Sequence, residues 1–585
     1  MESNTPHPYA QRLTQDLFDA LWLEDLYGFR KHCVFDSAAD GETVLKVALD
    51  ELRSLRWQGR RAGGLRPFRV SDRPVVLHGA THTTDLNAVQ TVEALQSADW
   101  WLDRSGRFAR FFRLAYVQAA FSAAHEHSIV AKLTAAPDDL LSWEALSCLK
   151  DRPFHPLARA KDWDGSDGTA YSPGTMTSVP LHWVALLRDN LRGSAMTGQP
   201  LAELLLDRIE RDTLSATARA HGADGDAWLW LPVHPWQWAR FDWAELSATT
   251  AHIDLGPGPG SAIPTASIRS LAIAGASGMH LKVSLSINAL GAVRTLPPRY
   301  LHNAVLAGAC LESLRRKDAW LASNLLLCDE NQWWALRQHD ALEADPGELA
   351  CLIRRYPALP GTRLVPMAAL PVTSADGALP AFDHLPGCAA HEQEAWMLFA
   401  DIARALLELG LRCFAQGVMP ELHGQNVLLA FQGKRIAALV LRDHDTLRIC
   451  RPLMQAQGVA VPDYVIDRST TNTLEPDSPG DLLAYLQTLA IEVNLYAILA
   501  ALAERYGREE AHGWHLVRTA LEACLACVPL PDEIAAQTRT LLLDEATWPF
   551  KQVLAPLLGR PSLGTGMPSA MGRLINPLLA VERTV

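Results

Sequence analysis

Residues 420–445, PELHGQNVLLAFQGKRIAALVLRDHD, place Glu421, His423, Gln425 and Asn426 before one short apolar run and Asp443 and Asp445 after a second. The runs 427–431 and 436–441 have strand composition and are separated by the turn-forming Gln432-Gly433-Lys434. Paired as a hairpin, they would bring both polar groups to its open end. Asn426, Asp443 and Asp445 are oxygen donors suited to Mg2+, a hard cation usually shared with substrate phosphates. His423 could donate to a carboxylate or steady developing negative charge. A polar hairpin end with exposed carboxylates and a turn-capping His423 would need the same residues; it is six such groups at one end that favour a site.

A second constellation lies in residues 264–295, PTASIRSLAIAGASGMHLKVSLSINALGAVRTL, where Thr265, Ser267, Ser270 and Thr295 are interleaved with Arg269, Lys282 and Arg294. Cations and hydroxyl donors are what phosphate oxygens require. A strand's period of two would align Lys282, Ser284 and Ser286 on one face and Val283 and Leu285 on the other. The competing reading is a solvent-facing strand whose hydroxyls answer their own turns. There is neither GxxxxGK[ST] nor GxGxxG, so a P-loop or Rossmann route has no support. DRPFHPLARAK (151–161) sets His155 and Lys161 either side of Pro156. In LPVHPWQW (231–238), His234 and Trp236 read better as a packed aromatic corner than as a ligand set.

The elements that must position these groups point to an α+β protein. Its 585 residues exceed a single core, and 49% apolar with 20% charged residues is ordinary for a globular chain. Residues 1 to about 150 read as mostly helical, from apolar spacings of three and four in TVEALQSADWWLDRSGRFARFFRLAYVQAAFSAAHEH. The Gly/Asp-rich KDWDGSDGTAYSPG (161–174) ends that region. AWLWLPVHPW, MHLKVSLSINALG and NLLLC carry strand composition in a mixed middle. HEQEAWMLFADIARALLELGLRCFAQG reads as one long helix closed at Gly417, and further helices follow the hairpin. The expected divisions are 1–160, helical; 161–390, mixed; and 391–585, mainly helical with the hairpin.

A net charge of −12 argues against non-specific nucleic-acid binding. There is no secretory-type N-terminus, and the best apolar stretch, NLYAILAALAERYG, is short for a membrane span and ends in charge. Ten scattered cysteines suit a reducing cytoplasm, with Cys524 and Cys527 read as helix packing rather than a redox or metal pair.

Taken in order, FHPLARAK, LPVHPWQW, PTASIRSL, KVSLSINALGAVRTL, HGQN with LRD, and RLINPL resemble the motifs of the NRPS-independent siderophore synthetases, the IucA/IucC family. The resemblance implies a cupped hand of thumb, fingers and palm with ATP in the central cleft. It implies that a polycarboxylic acid is adenylated by ATP with Mg2+, and that an amine or alcohol then displaces AMP. Citrate or a citrate derivative is the expected acid, with 2-oxoglutarate as the alternative within the family. Carried over by motif, Ser267, Arg269, Ser270 and Lys282, with His155 and Lys161, fall among the nucleotide-binding positions. Arg294 and His423 fall where the substrate carboxylates and reacting acyl group are held. Asn426, Asp443 and Asp445 fall where Mg2+ and nucleotide bind. A homodimer is compatible with the resemblance.

The chain departs from the family pattern at three places. Ser270 follows Arg269 where Thr is common, Arg152 stands where many members have His, and no Gly follows the Asp of RDHD. Two other classes remain open. A kinase-like phosphotransferase is echoed by HGQN…RD, though the chain has neither HRD nor DFG. A non-catalytic carboxylate- or nucleotide-binding protein would hold ligand without turnover.

Overall fold

A computed structural model describes residues 8–37, 42–163, 168–196, 199–276, 278–385, 391–468, 473–560, 566 and 568–579. The helix Pro8–Leu23 lays Leu13, Leu17, Phe18 and Leu21 onto a six-stranded antiparallel sheet built from residues 33–86. The expectation of a mostly helical N-terminal region is corrected here. Thr43–Ala48 and Ser54–Arg61 pair with Leu45 opposite Trp57 and Val47 opposite Leu55, all four buried. That alternation is a period of two, which in so short a run marks a half-buried strand. The helices Ala88–Gln96, Arg107–Ala124, Glu126–Ala135 and Leu140–Ser147 follow as the spacing predicts.

The middle of the chain forms an eight-stranded sheet in which every pairing is antiparallel. The strand expected to run through Lys282 and Ser286 is broken. Met279–Val283 stays in this sheet, whereas Leu285–Ala289 leaves it for a three-stranded sheet with Lys161–Asp162 and Ala292–Arg294. Ser284 sits at the break: its hydroxyl donates to Gly347 O and accepts the Leu296 N–H at 3.1 Å. Lys282, Val283, Ser284 and Leu285 are all buried, so no solvent-facing polar stripe exists.

In the C-terminal part, Val427–Gln432 and Arg435–Leu441 form the predicted hairpin. Arg363–Pro366 flanks it antiparallel and Leu325–Leu327 parallel. The helix Glu392–Ala415 packs behind it, and Gly417, at φ 81°, turns the chain out. A Cβ there would lie 2.6 Å from Met454 N, so glycine is required both for the turn and for the close approach. NLYAILAALAERYG belongs to a longer helix, Pro479–Tyr506, whose middle Leu486–Leu495 widens into π-helical turns. By length and composition this helix could cross a membrane, but 94% of its most apolar window is buried inside the protein.

Candidate active site

The last cross-strand pair of the hairpin is Val427 with Leu441, and beyond it Arg442 N–H donates to Asn426 O at 3.1 Å. The two polar groups therefore meet at the open end, as their spacing requires. Gly424 lets this end close against its neighbours, since a Cβ would lie 2.9 Å from Ala368 N. Asn494 donates to Leu422 O at 3.0 Å from the buried π-helical turn and fixes the residue before His423. Arg442 clamps the far side, donating to Gln425 O at 2.8 Å and Tyr356 Oη at 2.6 Å and pairing with buried Glu144.

Asp443 adopts φ 59°, left-handed backbone that costs a non-glycine residue energy unless its surroundings hold it. Glu330 supplies the hold: its carboxylate accepts the N–H groups of Asp443 at 3.1 Å and His444 at 3.3 Å and pairs with Arg354 at 2.5 Å. Asp443 Oδ1 in turn receives Lys282 and, at 2.6 Å, Arg354. Burial alone would raise the Asp443 carboxyl, but Arg354 and Lys282 overcome it and keep the group well below the ordinary carboxylate range. Asp445 has no such pair among the described residues. Burial raises its carboxyl, the charge of Asp443 adds to the effect, and Lys282 and Arg269 only partly oppose it.

The Lys282–Asp443 pair is where the second constellation meets the first. Arg269, Lys282, Thr295 and Asp445 line one cleft, and Glu421, Arg442 and Asp443 line the adjoining one. Arg269 donates to Thr295 O at 2.6 Å, and Thr265 Oγ1 bonds to Ser270 O at 2.8 Å, closing the loop on itself. Thr265 thus serves its own turn, whereas Ser284 is taken up by Gly347 O and the Leu296 N–H. Ser267 is half-buried, and the hydroxyls of Ser270 and Thr295 are buried without a partner among the described residues.

Glu421 faces His423. Its carboxylate accepts Thr446 Oγ1 at 2.8 Å and Asn426 Nδ2 at 3.4 Å, with Arg448 at 3.5 Å and His423 Nε2 at 3.9 Å. Burial opposes ionisation of Glu421, but Arg448, His423 and Lys551 prevail and hold it at about 2. Burial pushes the His423 imidazole below its ordinary value. Because Nδ1 accepts the Gln425 N–H at 3.2 Å, a neutral His423 carries its proton on Nε2. His423 is then a donor aimed beside Glu421.

Arg294 is half-buried with no hydrogen bond or ion pair among the described residues, and burial with nearby Arg269 lowers it to about 10. Lys161, on the strand next to that of Asn288, is lowered to about 8 by burial and Arg159. His155 is buried and lowered to about 3, and its Nδ1 has no partner among the described residues. Glu330, Arg354, Arg442, Arg448 and Lys551 also belong here and were not expected from the sequence. Arg442 is the first residue of RDHD and Arg448 lies just after it; Lys551, on Thr547–Gln552, carries no local signal. His234 is fully buried beside Tyr171 and Trp163, as the aromatic-corner reading expects. On the helix Glu510–Cys527, Cys524 is buried, which fits packing, whereas Cys527 is exposed and does not. Among the described residues no group of three or more His, Cys, Asp or Glu could hold a metal by itself.

This fold has known counterparts. Residues 139–372 match the family model described as IucA / IucC family, and residues 396–562 match one described as ferric iron reductase FhuF-like transporter. The staphyloferrin B synthase of Staphylococcus aureus (strain NCTC 8325 / PS 47) is 31% identical over 597 aligned residues that span all of both chains. The citryl-spermidine/3,4-dihydroxybenzoyl-citryl-spermidine:spermidine ligase of Bacillus anthracis is 24% identical over 63% of each chain. The ATP-bound aerobactin synthetase IucA from a hypervirulent pathotype of Klebsiella pneumoniae superposes with a TM-score of 0.72 over 97% of this chain and 99% of that one, at 19% identity. The chain belongs to the IucA/IucC family of NRPS-independent siderophore synthetases. It is a synthetase of siderophore biosynthesis.

Proposed function

We propose that the protein is an ATP-dependent ligase that adenylates a polycarboxylic acid, citrate or a citrate derivative, and condenses it with an amine or hydroxyl, releasing AMP and pyrophosphate. The observation that carries this reading is the Lys282–Asp443 ion pair, which joins a cradle of cations and hydroxyls to the group around Glu421, where His423 stands 3.9 Å away and whose charge reaches Arg294. Arg269, Lys282, Ser267 and Ser270 bind the phosphates. Arg294 and His423 take the reacting carboxylate. The relatives named for citryl-spermidine ligation and for bound ATP support the same chemistry.

A carboxylate must approach an anionic triphosphate, so the chain's cations first lower that repulsion. A carboxylate oxygen attacks the α-phosphorus and pyrophosphate leaves. The amine or hydroxyl then attacks the acyl carbon, loses its proton, and AMP departs with the bonding electrons. His423 Nε2–H steadies the oxyanion that forms at that carbon, and binding both reactants in one cleft makes each step effectively unimolecular. Mg2+ would neutralise phosphate charge. The residues fit it in part: Asp443 Oδ1 is taken by Lys282 and Arg354, which leaves Asp445 and Asn426 as donors. Asp445, a carboxyl raised by burial, is a group a divalent cation would draw into its ionised form.

The test is hydroxylamine trapping with ATP and Mg2+ across citrate, citrate monoamides and 2-oxoglutarate. A hydroxamate formed with stoichiometric AMP is expected. Production of ADP without AMP would sink the reading and favour a phosphotransferase.

A further inference from the structure

Glu144 belongs to no motif read from the sequence, yet its side chain, fully buried on the helix Leu140–Ser147, touches both halves of the site. Oε2 accepts the Ala266 N–H at 3.3 Å, and Ala266 stands between Thr265 and Ser267 in the phosphate-side loop. Oε1 receives Arg442, which directly follows the second strand of the hairpin. Arg442 carries the contact onward, with Nε donating to Gln425 O at 2.8 Å and its backbone N–H to Asn426 O at 3.1 Å. Nη1 also reaches Tyr356 Oη at 2.6 Å, and that hydroxyl lies 3.3 Å from His280 Nδ1 on the strand that carries Lys282.

The helix that presents Glu144 is firmly held. Asp139 caps its start by accepting the Leu141 N–H at 3.2 Å, and Trp143 Nε1 donates to Pro137 O at 2.8 Å. Trp143 and Leu146 are fully buried on either side of Glu144 in the chain. The Lys282–Asp443 pair already joins the two halves, but it grips the strand Met279–Val283 and not the loop before it. Glu144 is the tie at the loop. A buried ion pair is often no more stabilising than well-packed apolar side chains of similar volume. What a carboxylate offers that an apolar residue cannot is two acceptor oxygens, here each spent on a different segment.

We infer that Glu144 is a positioning residue of this site: its one carboxylate sets the spacing between the loop backbone at Ala266 and the Gln425–Asn426 end of the hairpin, so that Ser267 and Asn426 meet the same bound nucleotide. This rests on the proposed adenylation reading and names the residue that keeps its two halves in register. With no exposed surface, Glu144 acts only through Ala266 and Arg442.

Calorimetry on the full chain tests this with two probes. A non-hydrolysable ATP analogue with Mg2+ spans both halves, whereas inorganic pyrophosphate without Mg2+ needs only the cations of the loop side. Glu144→Gln keeps an acceptor for Ala266 and loses the charge that holds Arg442. It should weaken the analogue about tenfold or more and leave pyrophosphate within about twofold. Arg442→Lys keeps the charge but has one donor group where the guanidinium reaches Glu144 and Gln425 O together. It should show the same split, and it tests the link even where Glu144→Gln does not fold. Because both variants break one chain of contacts, the double variant should lose little more than the worse single one. A merely structural role would weaken the two probes alike or leave both unchanged in the folded protein. Either result overturns the positioning role, as do fully additive losses. A wild type that binds the analogue yet forms no hydroxamate with any acid overturns the adenylation reading and leaves the positioning role standing.

Discussion

Lys282 and Asp443, 161 residues apart in the chain, form an ion pair that locks the strand Met279–Val283 to the hairpin, and Arg354 closes the group at 2.6 Å from the same oxygen. Asp443→Asn isolates the value of that charge, because Asn tolerates the left-handed backbone Asp443 adopts. It leaves Lys282 and Arg354 buried with one anion, Glu330, between them. Breaking a buried pair from one side costs about 3–5 kcal/mol. Urea unfolding of the variant should show a loss of that order. A loss under about 1 kcal/mol would mean that water reaches the pair freely.

His423→Ala should remove an oxyanion donor and little else. Losing one such donor costs about 100- to 1,000-fold in rate, so hydroxamate formation should fall by that factor with binding of the ATP analogue unchanged. Burial keeps the wild-type imidazole neutral below its ordinary value. The pH–rate profile should therefore show no acid limb near the usual histidine value of about 6.5. A variant with wild-type adenylation would remove His423 from the mechanism.

Much of this site was legible in local sequence. The hairpin, its open-end cluster and the Arg269–Lys282 loop each lie within some 30 residues, where spacing carries geometric meaning. Lys551 and Glu330 were not legible, because their placement is tertiary: Glu24 accepts the N–H groups of residues 553–555, and Glu330 holds a turn 113 residues later. The break at Ser284 was hidden for a related reason. A strand that changes sheets keeps its apolar alternation, and only the bonds of the Ser284 hydroxyl to Gly347 and Leu296 reveal the corner. The N-terminal sheet is obscured in the sequence because its alternating runs are short beside the strong helical periodicity of residues 91–127.

The Asp16 carboxyl should make stability fall with rising pH in a narrow window. Burial pushes it up to about 7, with Arg66 opposing and Asp19 reinforcing the rise. It accepts the Phe154 N–H at 3.3 Å, and Phe154, at φ 65°, directly precedes His155. Between the unfolded value of about 3.9 and the folded value of about 7, the folded chain holds a proton the unfolded chain has lost. Unfolding free energy therefore declines across that range, by at most about 1.4 kcal/mol per pH unit, and levels off above it. Asp16→Asn removes the term. The wild-type minus variant difference should drop from pH 4 to pH 7, and a flat difference would place the Asp16 pKa at its ordinary value.

Glu492 is a buried carboxyl in the C-terminal core. It lies on the π-helical segment Leu486–Leu495, is 1% exposed, and neither carboxyl oxygen has a partner among the described residues. Its polar neighbours are satisfied: Gln487 donates to Leu541 O at 3.2 Å and Asn494 to Leu422 O at 3.0 Å. Burial raises Glu492 well above the ordinary carboxylate value, which favours its protonated form. A buried unsatisfied polar group costs about 1–3 kcal/mol. Glu492→Met, of similar length and without a charge to bury, should raise the unfolding free energy by that amount. The sign of the shift adds a second readout. A raised acid loses stability as pH climbs past its unfolded value of about 4.3, so the advantage of the variant should grow between pH 5 and pH 8. Equal stability of the two proteins at both pH values would show that Glu492 has a compensating partner in solution.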